Sequence, residues 1–359
     1  MSAFPRTVNF LLHGMNAVEF RKLNKVGSNS QPNAFPMLFG KTTEAVVRIQ
    51  MDLPTLKADL NYKQACKEYL DDKSYIPLEY MKAGYKCSGY MISYRTSASL
   101  VRFFLTNKSN RDKSFPKFSF TWFVNLAHDN TDDLYTADYD LYEFFVKNRF
   151  ELNDAFIFFL GDHGPRFGSE AKTDFGQREA NNPFLYVIVP ETLREKQLHK
   201  QLQENSKQLV THHDLHSTLK DILYFQTSSS FSDITFKKFN SNPRGSSLLR
   251  RFEDGVLRTC KTLPIPFHYC ICQFRMVNVS DSNLTTTLGR IAAERLADEL
   301  KLQGVSDICE EIALEKVIKA EKYALSGDIT INTNPTTYGT YEVVFEVAPP
   351  AKGQFQARK

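Results

Sequence analysis

Residues 155–179, AFIFFLGDHGPRFGSEAKTDFGQRE, are the stretch from which the rest of the chain is read. Ala155 to Leu160 is an unbroken apolar run of strand length, rich in aromatics and Ile and bounded by glycine. That is the pattern of a strand covered on both faces. The run passes directly into Gly161-Asp162-His163-Gly164. At the carboxyl end of a buried strand in an open α/β sheet, an acid and an imidazole flanked by glycines can turn toward one point, where such sheets keep their ligands. Carboxylate oxygen and neutral imidazole nitrogen both suit zinc or manganese. A tight turn in which Asp162 caps the next segment and His163 lies on the surface is the competing reading of the tetrapeptide. The same loop carries Arg166, Lys172 and Glu179 ahead of Pro183 and a second apolar run, Leu185 to Val189.

Working back toward the N-terminus, Gly27-Ser28-Asn29-Ser30-Gln31-Pro32-Asn33 precedes Ala34 to Phe39 and Gly40. Pro32 suits a first helical turn, Ser30 or Gln31 the cap before it, and Gly40 the stop. Ser30 then lies at a helix N-terminus, where unpaired N–H groups and the helix dipole favour an anion and an ionised hydroxyl. A serine nucleophile for phosphate or sulfate esters needs that environment. An ordinary capping serine is the simpler account of the heptapeptide by itself.

Working forward and around, Ser119 to Leu126 is a second buried strand, ending in Ala127-His128-Asp129. His128 faces the same edge as Asp162 and His163 if the two strands are near neighbours. Asp132 to Asn148 follows as a helix with Leu141, Phe144, Phe145 and Val146 on its apolar side. In Leu209 to Leu223, three histidines and an Asp invite a metal reading. Asp214 nevertheless reads as a helix cap ahead of one apolar face formed by Leu215, Leu219, Ile222 and Leu223, with His216 the alternative member of a site.

The expected fold class is α/β, a mostly parallel sheet flanked by helices over residues 1–230. Beyond it, residues 231–359 form a small α+β cap with a helix at 286–302 and strands at 313–323 and 341–347. A length of 359 residues and a hydrophobic fraction of 42% accommodate this and exclude general disorder. Net charge is only +4, with the basic residues scattered, so nothing points to nucleic acid as partner. No apolar run reaches the roughly 20 residues that cross a bilayer, and MSAFPRTVNF lacks the basic segment and apolar core of a signal peptide. The 6 cysteines suit disulfides better than zinc. Cys66 and Cys87 flank a helix–strand unit (Ile76 to Gly84, then a strand from Tyr85) as a candidate bridge, and Cys260, Cys270, Cys272 and Cys309 would staple the cap. Acceptor sequons at Asn107, Asn278 and Asn283 are compatible with a secretory route.

These motifs together resemble the alkaline phosphatase and sulfatase superfamily, and within it a secreted sulfatase-like family of unassigned function common in nematodes. Asp162, His163, Gly164, Arg166, Gly176, Glu179 and Pro183 match its metal loop. Ser30, Pro32, Asn33 and Gly40 match its nucleophile segment, His128 a His-Asp after the corresponding strand, and residues 349–355 its ending. The resemblance implies an alkaline phosphatase-like fold and a metal-dependent hydrolase of phosphate or sulfate esters, extracellular or in the secretory lumen. Ser30 would attack; Asn33, Lys172 and Arg166 would compensate charge on the ester. Asp162 and His163 would hold a divalent cation, zinc or manganese with calcium as the alternative. His128 would hold a second metal or the leaving group. The superfamily also takes an Asp from a first strand ahead of the nucleophile, for which Glu19 is the only carboxylate at hand. The expectation is therefore a first strand and leader upstream. The alternative is a pseudoenzyme or truncated product acting as a secreted interaction module.

Overall fold

The apolar run forms a strand, Ala155–Gly161, buried at every position. Its alternating side chains feed two different layers. Phe156, Phe158 and Leu160 join Phe118, Phe120, Trp122, Met37 and Leu219 on one side. Ala155, Ile157 and Phe159 join Phe4, Leu11, Leu141 and Phe145 on the other. Each fully buried Phe contributes on the order of 2 kcal/mol, so a strand alternating between two such layers has no register to slip into.

The computed structural model describes residues 3–51, 53–65, 67, 69–70, 73–92, 98–106, 115–126, 132–166, 173–240, 242–272, 275–305, 310–324 and 340–358. It divides into two compact units, Met1–Arg48 with Pro54–Ile271, and Ile49–Leu53 with Cys272–Lys359. The division falls at Cys272, not at residue 231 as the serine-rich break at 227–232 had indicated. That break continues directly into segments pinned to the first unit: buried Arg250 meets Asp221 at 2.8 Å.

In chain order the first unit contains α1 (Pro5–Gly14), β1 (Val18–Glu19), β2 (Leu23–Asn24), α2 (Ser30–Phe39), α3 (Tyr62–Ala65) and α4 (Ile76–Lys82). There follow β3 (Lys86–Ile92), β4 (Ala98–Thr106), β5 (Lys117–Leu126), α5 (Asp132–Lys147), α6 (Arg149–Leu152) and β6 (Ala155–Gly161). Then come α7 (Asp174–Asn181), β7 (Leu185–Ile188), α8 (Gln197–Asn205), β8 (Val210–Thr211) and α9 (His212–Asp221). Six strands make one sheet in the order β1-β7-β6-β4-β5-β3, and β2 pairs with β8 in a separate parallel ribbon.

The sheet is mixed, which corrects the expectation of a mostly parallel one. β3 and β5 are parallel, but β4 runs antiparallel to both β5 and β6, and β7 runs antiparallel to β6 and β1. β5 and β6 therefore point the same way but are separated by one strand. Helices cover both faces: α2, α4 and α9 supply the first layer and α1 and α5 the second.

The second unit is an α+β unit. The strands β9 (Arg275–Asn278), β10 (Leu314–Ala324), β11 (Tyr341–Val347) and β12 (Gln354–Arg358) form an antiparallel sheet, and α10 (Ser282–Leu302) accompanies it. β11 alternates buried and partly exposed residues. Its inward Tyr341, Val343, Phe345 and Val347 pack with Leu288 and Ala293 of α10. Among the described residues, no helix is long and apolar enough to cross a membrane.

Candidate functional site

The loop leaving β6 is shaped by one close approach. A Cβ at Gly164 would lie 2.0 Å from the Glu179 carbonyl oxygen, so only glycine lets this loop press against α7. Gly164 N donates to Ala180 O at 3.1 Å, fastening the contact. The end of α7 also holds the β2 segment: Lys25 N donates to Asn181 O at 3.0 Å, and Asn182 Nδ2 donates to Leu23 O at 2.8 Å.

Asp162, at the tip of β6, is fully buried, and neither carboxylate oxygen makes a hydrogen bond of ordinary geometry. Burial pushes its pKa up, opposed first by His163 and then by the Ser30 hydroxyl. His163 Nδ1 lies 2.7 Å from Gly164 O. A carbonyl only accepts, so Nδ1 carries the proton and Nε2 presents a lone pair. That Nε2 lies 3.6 Å from Asp162 Oδ2 and 3.3 Å from Ser30 Oγ. Burial lowers the His163 pKa, against the pull of Asp162, and so favours the neutral ring.

Ser30 opens α2 without being its cap. Asn29 is the cap, its Oδ1 accepting from Gln31 N at 3.2 Å, so the ordinary capping reading of Ser30 does not hold. Gly40 ends the helix in the left-handed conformation, φ 67°, as its position had indicated. Four residues past the cap, Asn33 is fully buried and its amide is spent on the loop. Its Oδ1 accepts from Val26 N and Gly27 N at 2.9 and 3.0 Å, and its Nδ2 donates to Gly27 O and Asn29 O at 3.1 and 2.8 Å. Both amide protons are thus used. Asn33 braces the loop under Ser30 and has none left for a substrate oxygen, which corrects the charge-compensating role expected of it.

Arg166 is half-buried and acts electrostatically on both Lys25 and His163. Lys172 and His128 lie outside the described residues, as do Cys66, Cys309 and Asn107. Glu19 belongs elsewhere: it pairs with Arg21 at 2.7 Å and accepts from Tyr186 Oη at 3.2 Å. Among the described residues, no third His, Cys, Asp or Glu ligand atom joins Asp162 and His163 within 4.8 Å.

Two residues of this neighbourhood were not singled out from the sequence. Lys25 is only 4% exposed, and its pKa is lowered to about 8, by burial first and Arg166 second, against Asp162 and Glu44. Its Nζ sits over the Tyr269 ring, 4.6 Å from the centroid. His212, the first residue of α9, is fully buried with neither ring nitrogen in a hydrogen bond of ordinary geometry. Burial, with the nearby His163, lowers its pKa to about 3. The sign that could have found Lys25 is a lysine beside the short apolar segment ahead of the serine loop. Nothing in the spacing distinguishes His212 from His213.

The rest of the THHDLH stretch is structural. Asp214 stands at the third position of α9, in a capping box with Thr211, and is not itself the cap. Its Oδ2 accepts from Thr211 N at 2.7 Å and pairs with Arg258 at 2.6 Å, and its Oδ1 accepts from Ser246 N at 2.8 Å. His216 Nδ1 donates to Met37 O at 3.2 Å, under the end of α2. The disulfide joins Cys260 to Cys270 within the first unit, in place of the staple expected for the C-terminal cap.

The sequence pattern of a family described as Protein of unknown function (DUF229) matches residues 1–90 and 86–318. No curated protein and no solved structure matches the chain. With the match running over most of its length, through the serine loop, the Asp-His loop and α9, the chain belongs to the DUF229 family.

Proposed function

We propose that the chain is a metal-dependent hydrolase of phosphate or sulfate esters, built on an alkaline phosphatase-like fold and acting outside the cytoplasm. One observation carries the reading: the His163 Nε2 lone pair, the Ser30 hydroxyl and the buried Asp162 carboxylate converge, with no basic side chain in an ion pair with that carboxylate among the described residues apart from His163. Two electron-rich groups directed at one another inside a protein repel unless a proton or a metal cation lies between them, and the metal is the reading proposed here. Carboxylate oxygen and imidazole nitrogen fit zinc or manganese by donor chemistry, with calcium less suited to the nitrogen.

In this reading Asp162 and His163 hold the ion. Bound there, it supplies positive charge that lowers the pKa of a hydroxyl and offsets charge on ester oxygens. Ser30 brings its hydroxyl to the same point, at the dipole-positive end of α2. Its oxygen bonds to phosphorus or sulfur as the bond to the ester's leaving oxygen breaks. Water then cleaves the seryl intermediate, returning Ser30 and releasing phosphate or sulfate. Arg166 offsets charge on the substrate. A metal-free Ser-His-Asp triad is disfavoured because the acid of a triad meets Nδ1, whereas Asp162 lies beside Nε2, on the serine's side of the ring.

The test is metal analysis of the purified full chain with aryl phosphate and aryl sulfate turnover, for the parent, Asp162→Asn and Ser30→Ala. Stoichiometric metal lost in Asp162→Asn, and turnover lost with metal retained in Ser30→Ala, are expected. A parent chain that retains no zinc or manganese and cleaves neither ester sinks the reading and leaves the interaction module.

A further inference from the structure

Lys25 is a largely buried cation whose ammonium is not closed off by an acceptor of the fold. Among the described residues its Nζ makes no hydrogen bond and has no carboxylate oxygen within 4.0 Å; its close neighbour is the face of Tyr269. Holding an ammonium in so buried a side chain is unfavourable, since a single cation–π contact returns only about 1–2 kcal/mol, and the tip that still reaches solvent is open to an incoming acceptor. Glu44, which acts on Lys25 electrostatically, accepts instead from Ser28 Oγ at 2.5 Å and from Ser28 N at 3.0 Å.

The surroundings are built to keep Lys25 in place. Asn24, fully buried, donates to Tyr269 O at 2.7 Å and accepts from Ile271 N at 2.9 Å, which brings the Tyr269 segment against β2. The Cys260–Cys270 disulfide fixes the same segment one residue on. Arg166, a second cation, acts on Lys25 from the Asp-His loop.

We infer that Lys25 is a binding residue for a tetrahedral oxoanion, the phosphoryl or sulfuryl end of the substrate, with Arg166 as its companion. An anion there supplies the acceptor that Lys25 lacks and separates two cations that otherwise repel. The ammonium donates to the anion's peripheral oxygens while Tyr269 shields it from water. The inference deepens the hydrolase reading by naming the residue that recognises the transferred group.

The experiment titrates inorganic phosphate, and separately inorganic sulfate, into the full chain by calorimetry, comparing the parent with Lys25→Met and Lys25→Arg. Lys25→Met is expected to lose about tenfold or more in affinity, Lys25→Arg to recover part of it, and zinc binding to persist in both. In the parent, phosphate should also protect Lys25 from acetylation, read by mass spectrometry. That arm needs no variant to fold. Unchanged affinity in Lys25→Met, absence of oxoanion binding to the parent, or equal acetylation with and without phosphate each overturns the inference. Lys25-dependent phosphate binding in a chain without metal or turnover would sustain it while the hydrolase reading fell; turnover with Lys25-independent binding would do the reverse.

Discussion

Of the three stretches that place aspartate beside histidine, two lie among the described residues, GDHG at 161–164 and THHDLH at 211–216, and the fold treats their acids differently. Asp162 is buried with neither oxygen in a hydrogen bond of ordinary geometry, whereas Asp214 is equally buried and closed by Thr211, Ser246 and Arg258. In the stretch richer in ligand-type residues, it is the acid that folding consumes. A helix N-terminus recruits an acid at its third position to satisfy backbone N–H groups, and a buried acid recruits an arginine. What separates a ligand from a fastener is whether the rest of the fold has met its hydrogen-bonding capacity.

The sharpest way to break this comparison is to neutralise each acid in turn. Asp162→Asn should lower zinc or manganese affinity by at least about 100-fold while leaving the unfolding transition in place, read by metal titration and calorimetry. Asp214→Ala should do the opposite, costing roughly 3–5 kcal/mol because Arg258 is left buried without its partner, with metal affinity unchanged in the folded fraction. Denaturant unfolding measures it, and equal losses of stability from both would erase the distinction drawn here.

A smaller effect is expected from removing the Cys260–Cys270 bridge as a paired Ser variant. Its 10-residue loop is worth about 3 kcal/mol by chain entropy. Because the bridge flanks Tyr269, phosphate affinity should fall further than Asp162-dependent metal affinity. Smallest is the pH effect at α9. His213 and His216 are buried and their pKa values are lowered to about 3, by burial first in both, against an ordinary 6.5. The unfolded chain takes up these protons as pH falls through 6.5 and the folded chain does not. Stability is therefore full above 6.5 and declines toward pH 3, by roughly 1.4 kcal/mol per pH unit for each ring. Thermal unfolding at pH 7 and pH 5.5 checks this; a flat profile would mean the rings titrate freely in the fold.

Much of the local structure was legible because local patterns cause it. The unbroken apolar run at 155–160 requires two covered faces, Leu185–Ile188 forms the strand its apolar run indicates, and Gly40 stops α2 where a left-handed residue is needed. The helix at 282–302 and the strand at 341–347 follow from their periods in the same way. Of the candidate site, the structure brings Asp162, His163 and Ser30 together. The site was misread at Asn33, whose type suits an anion as well as a loop, and the spacing does not say which.

By itself, then, the sequence determined which segments are strands and helices and that an acid, an imidazole and a serine sit at their ends, because period, glycine position and capping act over a few residues. Only the tertiary structure decided that β4 runs antiparallel between β5 and β6, that Asp214 is closed by an arginine 44 residues away, and that Lys25 lies over Tyr269 without an acceptor. Strand direction and the satisfaction of buried polar atoms depend on partners distant in the chain, and no local pattern carries that information.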